Sequence, residues 1–177
     1  AGRIAGTGRW TPQRWNLDAT LSALQPSLLD ARAPAMQLSG PVTLSGGAAG
    51  DPTVDVAATL AGAVRDRGAM RAVRLELDAR AHPQRIELRQ FVASSGGARA
   101  TLQGLVTHAG AEAPWAVKAK AALVDFDPAL WWPGGDDSPW RRATTRLNAT
   151  GDADVELPST AASQPASQRV AALRGQA

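Results

Sequence analysis

The sequence predicts an all-β protein: an elongated, curved antiparallel sheet, groove-like in section, with little helix. Three observations carry this expectation. Apolar and polar residues alternate along most of the 177-residue chain, which sends successive side chains to opposite faces of a strand. Clusters of Gly, Pro, Asp and Ser break the alternation every 10 to 15 residues or so, about the rhythm of an antiparallel meander. No stretch before the C-terminal tail carries the three-to-four-residue spacing of an amphipathic helix.

The elements follow in chain order. Trp15, Leu17, Ala19, Leu21 and Ala23 form one apolar face, opposite Asn16, Asp18, Thr20 and Ser22. A weaker run covers 38–45. Val54, Val56, Ala58 and Leu60 alternate with Asp55 and Thr59. The clearest strand is 72–82, where Val73, Leu75, Leu77, Ala79 and Ala81 oppose Arg74, Glu76, Asp78 and Arg80. Shorter runs sit at 86–92 and 98–107. Trp115, Val117, Ala119, Ala121 and Leu123 then oppose Lys118 and Lys120, and a last run covers 145–157. Gly46-Gly47, His82-Pro83, Ser95-Gly96-Gly97 and Ala109-Gly110 supply turns between runs. Two brief helical turns or loops are expected after strands at Gln25-Pro26-Ser27-Leu28-Leu29 and Asp127-Pro128-Ala129-Leu130-Trp131, since Pro suits the first position of a helical turn. Residues 158–177 read as a linker with a short helix leading into a further segment.

Composition narrows the function. The chain has 37 Ala against 18 Leu, 11 Val, 2 Ile and 2 Phe, so any core is thin and built of small side chains. It has no Cys and no Tyr, which excludes disulfides and thiolate-held metals. The two His, His82 and His108, lack ligand-like spacing, and no nucleophile has an elbow context. The chemistry of an enzyme, a metal or a cofactor is therefore not expected. Of 19 cations 17 are Arg, but they interleave with Asp and Glu along the strands as on a solvated face, and nucleic acid is not expected as a partner. The chain begins at Ala1 without Met or a leader pattern, and reads as a piece of a longer protein.

A pattern recurs about 100 residues apart. Ile4-Ala5-Gly6, Trp15-Asn16-Leu17-Asp18-Ala19, Pro26-Ser27-Leu28-Leu29 and the strand around Gly40 come in the same order as Leu102-Gln103-Gly104, Trp115-Ala116-Val117-Lys118-Ala119, Pro128-Ala129-Leu130-Trp131 and the strand around Gly151. This divides the chain into a first repeat unit at 1–50, intervening strands at 51–97, a second unit at 98–157 and the tail. The elements Leu102-Gln103-Gly104, Trp115-Ala116-Val117, Asp127-Pro128-Ala129-Leu130 and the Gly-centred strands resemble the repeat region of TamB-like translocation and assembly proteins of the AsmA-like clan. The resemblance implies a periplasmic β-structure of taco-like section in a Gram-negative bacterium, anchored in the inner membrane. It implies phospholipid or other acyl chains as cargo between membranes, and a role in outer-membrane protein assembly. It also implies an Omp85-type barrel as a partner, reached through parts of such proteins not contained in this chain.

The apolar faces have no helix to cover them. Large uncovered apolar area usually binds something. Three arrangements would deal with it: a closed two-sheet sandwich, a closed barrel, or a curled sheet whose groove holds lipid chains. Ala at the inward positions fills little volume and favours the groove. The groove candidates are Leu75, Leu77, Ala79, Leu102, Val117, Ala119, Ala121 and Leu123. The aromatic rim candidates are Trp115, Trp131, Trp132 and Trp140, read either as a ligand platform or as filling, with Trp131-Trp132 plugging one edge of the groove. The alternatives to a lipid conduit are a Trp-bearing sandwich that binds sugar or peptide, and a structural spacer.

Overall fold

The computed structural model describes residues 2–28, 36–47, 52–66, 68–110, 113–131 and 145–157. Residues 132–144 and 158–177, with Trp132, Trp140 and the expected terminal helix, lie outside the described residues. Nine strands follow one another: β1 (Arg3–Trp10), β2 (Arg14–Leu24), β3 (Met36–Gly47), β4 (Val54–Asp66), β5 (Ala69–His82), β6 (Arg85–Ser95), β7 (Ala98–His108), β8 (Trp115–Phe126) and β9 (Leu147–Leu157). They form one sheet in sequence order, every neighbour pair antiparallel. The two expected helical turns are present as a 3₁₀ turn at Pro26–Leu28 and as α1 (Pro128–Trp131).

The alternating runs locate β2 to β9. They miss β1, whose inward residues are Ile4, Gly6, Gly8 and Trp10: the two glycines erase the apolar signal at mid-strand. Gly6 needs to be small, because a Cβ there would sit 2.6 Å from the Asp18 carbonyl oxygen.

The open chain order settles the architecture. β1 and β9 are the two edges of the sheet, not partners, so it is no barrel. β1 is exposed on both faces and β9 almost so, which leaves no second layer over either end. The sandwich alternative is thus corrected to a single open sheet. Small inward side chains explain this, since Gly and Ala offer a second sheet too little to pack against.

A well-buried core exists at one side, where the strands β3, β4 and β5 meet. Met36, Leu38, Val64, Val73 and Leu130 form it, with Leu60, Leu75 and Trp131 packed around them. Leu130 arrives from beyond β8. In a flat sheet the end of β8 would lie roughly 14 Å, three strand spacings, from β5. The chain turns at Asp127-Pro128 and the sheet curls towards its apolar face, so that α1 lies over these strand ends. Ala129 N–H donates to Asp127 Oδ1 (3.0 Å), a side-chain cap that starts the turn.

Two bulges of identical design mark the ends of β2 and β8. Ala23 (φ 52°) and Asp125 (φ 45°) are the two non-glycine residues with positive φ among the described residues. Each sits at a register shift, between Leu21 and Leu24 in one case and between Leu123 and Phe126 in the other. Each donates its backbone N–H to a side chain on the next strand: Ala23 to Ser39 Oγ, Asp125 to Asn148 Oδ1, both at 2.9 Å. Each is followed by a Pro-led turn, closed by Leu28 N–H to Gln25 O and by Leu130 N–H to Asp127 O. The hairpin β1–β2–β3 is therefore repeated as β7–β8–β9. The register refines the sequence pairing by two residues: Gly8 corresponds to Gly104 and Gly6 to Leu102, while Gly40 corresponds to Ala149 and Gly151 to Val42. A slip of two keeps every side chain on its own face, which is why the order of the pattern was legible while its residue equivalences were not.

Candidate apolar groove

The strand register assembles one apolar face from all nine strands. One cross-strand row reads Gly8, Leu17, Leu44, Val56, Ala79, Leu88, Gly104, Ala119 and Ala153. The next reads Gly6, Ala19, Val42, Ala58, Leu77, Phe91, Leu102, Ala121 and Gly151. A row of nine strands runs for roughly 38 Å across the sheet. Neither row contains a polar side chain.

All eight groove candidates lie on this face. Leu77, Ala79, Leu102, Ala119 and Ala121 belong to the two rows above, Val117 pairs with Val106 and Val155, and Leu123 pairs with Ala100 and Ala149. Leu75 differs in role. It packs against the buried cluster under α1 and belongs to the closed side of the groove. Leu102 is 36% exposed and Leu17 37%, so the middle of the face is open. Leu88 and Phe91 are members that period-two reading loses: three residues apart, they share a face because Arg89 and Gln90 form a bulge against Gln103.

The bulge has a visible anchor on the opposite face. Arg89 Nη2 donates to Asp78 Oδ1 (2.6 Å) and to Asp55 Oδ1 (3.0 Å), and Arg80 grips Asp55 through two bonds of 2.8 and 2.9 Å. The Arg80 hydrogen bonds, aided by Arg89, hold the Asp55 carboxyl below its ordinary range, and the Asp78 hydrogen bond raises the Arg89 guanidinium. Lys118–Asp154 and Lys120–Asp152 continue the ion pairs between β8 and β9. The charged face is thus solvated and mutually neutralising.

The Trp residues do not form one platform. Trp115 opens β8 and stacks on His108, with centroids 4.2 Å apart and planes at 20°. Trp131 lies past the other end of β8, parallel to Phe126 at 6.2 Å and packed on the core cluster. Eleven strand steps, about 37 Å, separate the two ends of β8. Trp15, on the apolar face of β2, is half-buried and covers Gly46, while its cross-strand partner Trp10 is 73% exposed.

At the closed side a polar cavity of about 320 Å³ adjoins α1, lined by Asp66, Arg71, Asp125, Asp127, Trp131 and Arg146 among others. Asp66 is only 6% exposed and pairs with Arg71 Nε at 2.7 Å. The sequence reading of the cations as interleaved with Asp and Glu on a solvated face overlooked this pair, because strand parity puts Asp66 and Arg71 on the apolar face. Larger hollows, of about 430 and 520 Å³, lie between β6 and β9 and are lined largely by polar-face residues such as Gln103, Lys120 and Asp152. Among the described residues no group of three His, Cys, Asp or Glu is placed to hold a metal, and no helix is long and apolar enough to cross a membrane.

Fold and face together define a class: an open, curled, single-sheet antiparallel β-protein with one apolar and one charged face. Comparison with known proteins finds no matching family model, no matching curated protein and no matching solved structure.

Proposed function

We propose that this chain is a non-enzymatic segment of a TamB-like, periplasm-spanning protein, and that its apolar face is a conduit for phospholipid acyl chains between inner and outer membranes. The observation that supports this reading is the uninterrupted apolar row from β1 to β9. A row of roughly 38 Å is longer than the acyl layer of one leaflet, half of a hydrocarbon core about 30 Å thick. Small side chains keep the floor low, the leucines and Phe91 give it adhesion, and α1 closes one flank. Contact with an Omp85-type barrel, and the associated role in outer-membrane protein assembly, belong to the same proposal.

The sugar- or peptide-binding alternative has less support. Trp115 already stacks on His108, and Trp131 is engaged with Phe126 and the core. The test is direct. The purified chain is extracted with organic solvent for mass spectrometry, then offered labelled phospholipid in vesicles. Co-purifying phospholipid and uptake from vesicles are the expected results. A chain that is folded, empty and unable to take up label would overturn the proposal in favour of a spacer.

A further inference from the structure

The three most exposed large apolar side chains among the described residues all belong to the first repeat unit. Trp10 is 73% exposed, Ile4 71% and Leu28 68%. Two belong to β1, and Leu28 closes the 3₁₀ turn that follows β2. Scattered apolar residues on a surface need no explanation, but an unpaired strand edge that bears large apolar side chains at both of its ends does.

The internal repeat shows what such an edge meets. By the register above, Ile4 corresponds to Ala100, Trp10 to Val106 and Leu28 to Leu130. In the second copy β7 has a neighbour, β6, and Ala100 and Val106 are half-buried against it. Leu130 is 5% exposed, because α1 reaches back over the strand ends of β3 to β5. The first copy has the same strand, the same bulge, the same hydrogen bond to the following strand and the same Pro-led turn. It lacks the strands that would stand where β3 to β6 stand for the second copy.

We infer that the β1 edge and the 3₁₀ turn are a docking surface for a further β-unit of this same repeat. That unit ends in a strand like β6 and carries an apolar cluster like Met36, Leu38, Val64 and Val73. It pairs antiparallel with β1 and buries Leu28 as this chain buries Leu130. A second whole copy fits less well. Two copies related by a two-fold axis at β1 put their clusters at opposite strand ends, and joining β9 to β1 with the faces aligned makes the pair parallel. The inference is independent of what the apolar face carries.

A tandem chain tests it. Residues 36–96 are placed directly before residue 1 of the full chain. Gly96 then precedes Ala1 and Gly2, which stand where Gly97 and Ala98 follow Gly96 in the β6–β7 turn. The expected result is slowed amide exchange along β1, by tenfold or more, relative to the parent chain. Leu28→Asp should shift the parent's melting midpoint by less than about 1 °C but lower the tandem's by about 5–10 °C. Unchanged exchange at β1 in the tandem would overturn the inference, as would a Leu28→Asp effect equal in both chains. So would a parent chain that sediments as a dimer and becomes monomeric on Leu28→Asp, since the occupant would then be a second copy.

Discussion

Gly62 shows how little room the tightest part of the sheet has. It faces Leu38 across the β3–β4 seam, and a Cβ there would overlap the Gln37 carbonyl oxygen. Backbone cannot give way as a flexible side chain can. Gly62→Ala should therefore push β3 from β4 beneath the buried cluster and cost about 2–4 kcal/mol, read as a lower denaturant midpoint. Leu130 is the complementary case. Its truncation leaves a cavity against Val64, itself 0% exposed, and Val73. Leu130→Ala should cost about 2–5 kcal/mol, whereas Leu28→Ala in the same chain should cost almost nothing. The sequence showed Leu130 as a member of a helical turn but gave no sign that it would be buried. Its partners are Met36 and Val64, more than sixty residues away, and only the curl of the sheet unites them. Asp66 was opaque for a similar reason: flanked by Arg65 and Arg67 it looked solvated, yet in the fold it lines one cavity with Leu130 and Trp131 of α1. Arg71→Leu should cost about 1–3 kcal/mol, because it removes a cation paired with a buried carboxylate.

Alternation is a strong signal for strands and a poor one for their irregularities. Eight of the nine strands were visible as alternating runs, but the bulges at Ala23, Arg89 and Asp125 have no sequence mark. Each depends on a partner across the sheet. Ser39 and Asn148 are those partners at the two repeated bulges, and Ser39→Ala and Asn148→Ala should each cost about 0.5–1.5 kcal/mol and speed amide exchange at Ala23 and Asp125 respectively. The Arg89 bulge rests on charge instead. Because the Asp55 carboxyl is held below its ordinary range, its contribution is complete above that range and fades as pH falls from about 4 through the depressed value. Melting curves of the parent and Asp55→Asn should differ at pH 6, and the difference should shrink as the pH is taken below the ordinary carboxylate range. The difference should also shrink in high salt, since these groups face solvent.

At the scale of the whole molecule, an open sheet bends the usual link between an apolar face and stability. In a closed sandwich every inward residue supports the fold. Among the described residues of the apolar face, the well-buried ones lie on the flank under α1, and the middle rows face the open groove. The sequence could place Ala119 and Ala121 on the apolar face but could not distinguish these two situations, because inward residues obey the same alternation in both. The structure predicts a split. Leu75→Asp strands a charge against the α1 cluster and should unfold the chain or cost several kcal/mol. Ala121→Asp points into the open middle of the face, where the residue is already exposed, and should stay within about 1 kcal/mol of the parent. The same charge sits in the row of Leu77, Phe91 and Leu102 and would have to be desolvated by any acyl chain lying there. Uptake of labelled phospholipid from vesicles should therefore fall sharply in Ala121→Asp while its melting curve barely moves. Charge reversal on the other face, Lys120→Glu, is the control: it breaks a long surface pair with Asp152 and should leave uptake unchanged. Equal uptake by the parent and Ala121→Asp, with both folded, would remove the groove from the path of the lipid.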